Sequence, residues 1–105
     1  MAQVKAVFYI PLRDNDDRDL AGELKDLEME LYLHFVGWTS LGYIRGAYQM
    51  ADGTQSLDES EAFALILEEA RLPELEQILL DFKGKTKQEA IYLEVQRHIE
   101  VRFLK

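Results

Sequence analysis

Glu94, His98 and Glu100 stand in the run YLEVQRHIEVRFLK that closes the chain at residue 105. Two carboxylates and an imidazole are the donor types of a mixed nitrogen and oxygen metal site, or of a general acid and base working near neutral pH. Extended backbone weakens that reading. Glu94 would lie about 13 Å from His98 along a strand, and Glu100 about 7 Å from it. The pattern therefore predicts a solvated strand face, with His98 chemically active only if the strand bends or a second chain contributes. The other histidine, His34, falls at the end of a helical pattern, where a protonated ring would favour the negative end of the helix dipole.

Asp14, Asp16 and Arg18 alternate in the run RDNDDRD as the first ligands of a calcium loop do. The glycine on which such a loop turns is missing and Arg18 occupies a ligand position, so helix capping is the expectation. Gly37, Gly42, Gly46 and Gly53 are spread over a strand pattern and its turn, which excludes a phosphate cradle. Gly42 and Gly46 are expected at bulges or close backbone approaches. There is no cysteine, which removes disulfides, thiol nucleophiles and Cys-based metal sites. No metal and no cofactor is expected. Trp38, the single tryptophan, is expected in core or interface packing.

The net charge of −8 argues against unaided binding to nucleic acid or to an anionic membrane surface, both of which attract Lys and Arg clusters. No apolar run reaches the roughly 18 residues of a membrane span. The N-terminal MAQVKAVFYIPL alternates rather than forming a signal-peptide core, so a cytoplasmic location is expected.

These groups need elements to hold them. Val4, Ala6, Phe8 and Ile10 alternate with Lys5, Val7 and Tyr9, a strand that ends at Pro11. Leu20, Leu24, Leu27, Leu31 and Phe35 form a helical stripe, with Asp17 or Asp19 as acceptors at its start and an end near Gly37. From Trp38 to Met50 the period returns to two. A turn at ADG, with Gly53 at positive φ, precedes a second strand over Glu61 to Glu68, and the polar tip ADGTQSLDES leaves the hairpin register open. Pro73, Glu74 and Glu76 mark the start of a second helix that buries Leu75, Ile78, Leu79 and Phe82 and ends at Lys83, Gly84 and Lys85. Ile91, Leu93, Val95, Ile99, Val101 and Phe103 then predict one long strand over 89–104, or two halves with a bend near Gln96 to His98. The order βαββαβ is that of an α+β, ferredoxin-like split βαβ domain over residues 1–105, an antiparallel sheet with two helices on one face.

Function is then sought on the uncovered face. Tyr9 on the first strand and Tyr92, Glu94 and His98 on the last are expected there. Both sides of residues 39–50 carry aromatics, and Tyr43 and Arg45 are assigned outward in preference to Ile44, Tyr48 and Met50. The candidate ligand or interface residues are thus Tyr9, Tyr43, Arg45, Tyr92, Glu94 and His98. Aromatic bodies with polar ends suit interfaces and pockets. The leading expectation is a non-enzymatic homodimeric binding or regulatory module whose open face meets a protein or small-molecule partner. The alternative is a small cofactor-free enzyme of the dimeric ferredoxin-like type, with His98, Tyr92 or Arg45 as acid, base or orienting group. A third reading, suggested by charge alone, is an acidic decoy that inhibits a basic nucleic-acid-binding protein.

The segments SLGYIRGAYQMADG and LPELEQILLDFKGKTKQEAIYLEVQRHIEVRF, within residues 38–103, resemble a bacterial family of small ferredoxin-like proteins of unknown function. In that family a hairpin rich in Gly and aromatics precedes a helix and then a Gln-Glu-hydrophobic strand. Gln88, Glu89, Ala90 and Ile91 are the matching positions here. The resemblance implies the same fold and brings no catalytic residues with it.

Overall fold

Every second residue of the first strand is apolar, and in the computed structural model, which describes residues 2–105, these side chains floor the core. β1 (Gln3–Pro11) turns Val4, Ala6, Phe8 and Ile10 inward. Asp19 Oδ1 accepts the amide of Ala21 at 2.8 Å, which satisfies one of the free N–H groups at the start of α1 (Ala21–Phe35). Leu27, Leu31 and Phe35 of α1 are buried against the sheet. The helix ends on Val36, which is left-handed at φ 68° and donates its amide to the carbonyl of Tyr32.

β2 (Thr39–Gln49) and β3 (Gln55–Glu68) form an antiparallel hairpin. Its turn is closed by bonds between Met50 and Thr54 and between Gly53 and Met50, so the expected long polar tip is mostly strand. Gln55 to Glu59 pair with β2 although all but Leu57 are polar, because cross-strand backbone bonds do not require a buried face. A bulge lies between Ser40 and Gly42, and Gly42 takes φ 103° there, a conformation that a β-carbon would strain. A short turn at Glu69–Arg71 leads into α2 (Leu72–Lys85), which carries Pro73 in its first turn and buries Leu75, Ile78, Leu79 and Phe82.

β4 (Tyr92–Gln96) completes a four-stranded sheet of order β2-β3-β1-β4, antiparallel throughout. Inward residues of the strands and buried residues of both helices share one core, so the helices cover one face and the fold is ferredoxin-like. Phe8 and Phe63 stack at 5.7 Å, and Trp38 meets Phe63 edge-on at 5.6 Å. Each fully buried side chain of this size contributes roughly 1.5–3 kcal/mol. Among the described residues no helix is long and apolar enough to cross a membrane.

The last element corrects the sequence. Pairing with β1 ends at Lys5 and Gln96, and residues 97–105 form no strand. Two features end it: His98 is left-handed at φ 60°, which breaks the pleat, and Arg97 is drawn aside into an ion pair with Glu69. Neither one strand over 89–104 nor two half-strands is formed.

Candidate functional site

In an antiparallel pair, directly opposed residues point to the same side of the sheet. Tyr9 is opposite Tyr92, Val7 opposite Glu94 and Lys5 opposite Gln96, all facing away from the helices. Tyr9 and Tyr92 stack with ring centroids 4.3 Å apart and 12° from parallel. The Tyr92 hydroxyl donates to Glu94 Oε1 at 2.8 Å, and Gln96 Nε2 donates to Glu94 Oε2 at 2.7 Å. The bonds from Gln96 and Tyr92, with the nearby Lys5 charge, hold the Glu94 carboxyl below its usual range. The bond to Glu94, with some burial, pushes the Tyr92 hydroxyl up to about 12. Tyr9, Tyr92 and Glu94 thus stand on the open face where the sequence placed them.

Tyr43 and Arg45 do not. They lie opposite Glu61 and Glu59, on the side that Phe63 turns to the core, so the outward assignment is corrected. The extra residue at the bulge inverts the alternation counted from the start of β2. Ile44, Gly46 and Tyr48 take the open face instead, opposite Ser60, Asp58 and Ser56. The ring of Tyr48 lies across Gly46, and a β-carbon at residue 46 would come within 2.8 Å of the ring and its hydroxyl. Sequence reasoning expected a close approach at Gly46 but turned Tyr48 to the other face, although a glycine two residues from a tyrosine on one strand face is the available signal.

The result is a cleft of about 280 Å³ at the hairpin end of the open face, lined by Tyr9, Tyr48, Tyr92, Ile44, Asp58 and Ser60. It shares Pro11, Asp58 and Ala90 with a second, more polar cleft of about 520 Å³, where Arg13, Asp17, Glu59, Gln88 and Glu89 gather. Gln88 to Ile91 lie along these two clefts. Asn15 Nδ2 donates to the carbonyl of Lys87 at 2.8 Å, which ties together the two loops that wall the second cleft.

The remaining candidates fall elsewhere. His98 is exposed beyond the end of β4; Glu94 is engaged with Tyr92 and Gln96, and Glu100 with Arg102. Asp14 accepts the amides of Asp16 and Arg18 at 2.8 and 2.9 Å and the Arg18 side chain at 2.8 Å, so protein donors occupy the oxygens that a calcium loop would offer. These bonds, the Arg18 amide first, lower its pKa. Among the described residues no three His, Cys, Asp or Glu side chains are placed to hold a metal ion. His34 does not serve the helix end directly: Arg71 Nη2 donates to the His34 carbonyl at 2.6 Å, while the imidazole pairs with Glu74 Oε1 at 2.8 Å. Arg71 also grips Glu74 at 2.9 and 3.0 Å and lies 4.6 Å over the ring of Phe35, fastening α1 to α2.

No protein-family model and no curated protein matches the chain. Among solved structures, a phage SAM lyase in complex with S-methyl-5′-thioadenosine is similar to it, with a TM-score of 0.69 and 16% identity, over 90% of this chain and 81% of that one. At that identity the likeness supports the α+β fold.

Proposed function

We propose that the protein binds a sulfonium nucleoside of the S-adenosylmethionine class in the cleft between Tyr9, Tyr48 and Tyr92, and acts on it as a small cofactor-free enzyme of lyase type. The observation that carries this reading is one cleft lined by the stacked rings of Tyr9 and Tyr92 and by Tyr48, whose ring lies across Gly46, with Asp58 also in the lining. Aromatic faces stack on a purine and attract a cation placed over them, and a carboxylate beside them favours the same charge. The net charge of −8 also favours a cationic ligand over a phosphorylated one. A cleft of about 280 Å³ approaches the size of small-molecule sites, and the adjoining one of about 520 Å³ gives room for an amino-acid tail. The structural neighbour, a SAM lyase holding S-methyl-5′-thioadenosine, supports this ligand class through the shared fold.

The chemistry suits the groups present. When the carbon–sulfur bond of a sulfonium breaks, its electron pair goes to sulfur, which leaves as a neutral thioether. The substrate's own carboxylate closes on the carbon left behind, so no proton has to be supplied. Tyr92, pushed up to about 12, and Glu94, held low, are both poor proton carriers at neutral pH, and this reaction asks for none.

The test is to incubate the protein with S-adenosylmethionine, follow release of S-methyl-5′-thioadenosine by chromatography, and measure binding of both compounds by calorimetry. Binding and release are expected, with both weakened by Tyr92→Ala and by Asp58→Asn. Binding without release would favour a regulatory binding module. Failure of both compounds to bind would overturn the reading.

A further inference from the structure

β4 stops at Gln96, yet the chain continues with a segment that has every mark of a strand. Ile99, Val101 and Phe103 alternate with Glu100 and Arg102, and β-branched and aromatic residues favour extended pairing. Among the described residues no strand pairing and no loop backbone hydrogen bond involves residues 99–105. Phe103 is 82% exposed and Leu104 91%.

A matching vacancy exists on the hairpin. β1 reaches only as far as Pro11 opposite Ser60, with one further bond from the Leu12 amide to the Glu59 carbonyl at 3.0 Å, so Gln55 to Asp58 pair with β2 and extend past the sheet. On the underside of this ribbon Tyr43 is 77% exposed and Leu57 76%. Among the described residues no strand pairs with the outer edge of β2. Charge agrees as well: residues 99–105 carry Arg102 and Lys105 against Glu100, while the ribbon carries Asp58, Glu59 and Glu61 against Arg45.

One molecule cannot join the two. Gln96, Lys5 and Ile66 lie in one row across the sheet, and Leu57 is about 30 Å further along β3. Residues 97–103 span at most about 24 Å when fully extended. They would also have to cross from the β4 edge to the β2 edge.

We infer that residues 99–105 of one molecule add as a fifth strand to the β2 edge of a second copy, with the exposed Phe103 covering Tyr43 and Leu57. Lys105 then approaches Glu59 and Glu61, and Arg102, on the alternate face, approaches the rim of the partner's tyrosine cleft. A two-fold arrangement in which each copy lends its tail to the other closes the assembly as a dimer. Leu57 and Glu59 also line the second cleft, so the tail and a ligand there would meet, and light scattering without any ligand reads the dimer separately from the proposed binding.

The test is light scattering on the full chain over roughly 1 to 100 µM, the range in which modest interfaces dissociate. Alongside it run Phe103→Glu, Leu57→Glu and a chain ending at His98, each checked for native circular dichroism. The full chain is expected to be dimeric and each variant to dissociate at least about tenfold more readily. A fluorescent peptide of residues 97–105 should bind the shortened chain and fail to bind it when Leu57→Glu is added. A full chain that stays monomeric, or a Phe103→Glu protein that dimerises as well as the parent, would overturn the proposal.

Discussion

The hydroxyl of Tyr92 donates to Glu94 Oε1 at 2.8 Å, and that bond links the ionisation of the two side chains. Tyr92 is raised from 10.0 to about 12, first because its proton is held in the bond to the Glu94 carboxylate, then by burial, and then by the charge of that carboxylate. A tyrosine raised on folding contributes stability that is fully present below pH 10 and is lost between 10 and about 12. Glu94→Gln keeps an acceptor for the hydroxyl and removes the charge, so ultraviolet titration should show one tyrosine midpoint moving back toward 10. Tyr92→Phe removes the same step and assigns it. An unchanged titration in Glu94→Gln would contradict the coupling.

Tyr48 rests across Gly46, where a β-carbon would meet its ring at 2.8 Å. The colliding atoms are the far end of a side chain on an exposed strand, so Gly46→Ala is expected to displace the ring while changing stability by under about 1 kcal/mol. On the proposed reading, loss of that wall weakens binding of S-methyl-5′-thioadenosine by roughly tenfold or more, read by calorimetry with denaturation as the control. Unchanged affinity would remove Tyr48 from the site.

The elements were legible where periodicity is long and one face is buried. Val4 to Ile10, Leu27 to Phe35 and Leu75 to Phe82 bury the residues that their spacing indicates, because a slip would expose the whole apolar set. The site was half legible for the same reason. Tyr9, Tyr92 and Glu94 alternate with core residues and so have a fixed direction, whereas Tyr43 and Arg45 follow a one-residue bulge that inverts the count. Alternation also continues through Ile99, Val101 and Phe103, although a strand needs a neighbour as well as a pattern, and none lies beside them here.

Phe63 is fully buried between Phe8 and Trp38. Phe63→Ala leaves a void that both rings border, and the expected loss is about 3–5 kcal/mol in urea denaturation. That is a large part of the roughly 5–15 kcal/mol that a domain has. Trp38 fluorescence should change in the native baseline, since its edge contact at 5.6 Å disappears. A loss well under 1 kcal/mol would mean that the core closes around the gap.

Glu74 holds Arg71 and His34 together at the junction of the helices, and the Arg71 bond, then the His34 bond, lower its pKa from 4.5. A carboxyl lowered on folding contributes stability that is present above 4.5 and lost as pH falls through its folded value. Thermal midpoints measured from roughly pH 7 down to pH 3 should therefore fall less steeply in Glu74→Gln than in the parent. The same acid slope in both proteins would show that the junction contributes nothing through this carboxylate.

Val36 ends α1 in the left-handed region at φ 68°, although a β-branched side chain is among the least suited to it and Gly37 follows directly. The left-handed conformation costs an L-residue roughly 1–2 kcal/mol, and Val36, 83% exposed, recovers little of that by packing. Val36→Gly removes the strain but adds freedom to the unfolded chain, so a net gain of about 0.5–1 kcal/mol is expected, or a few degrees in the thermal midpoint. Val36→Ala separates this cause from simple removal of an exposed apolar group. Alanine keeps the β-carbon and most of the strain, so it should gain much less than glycine. Equal gains in the two variants would locate the effect at the surface and away from the backbone.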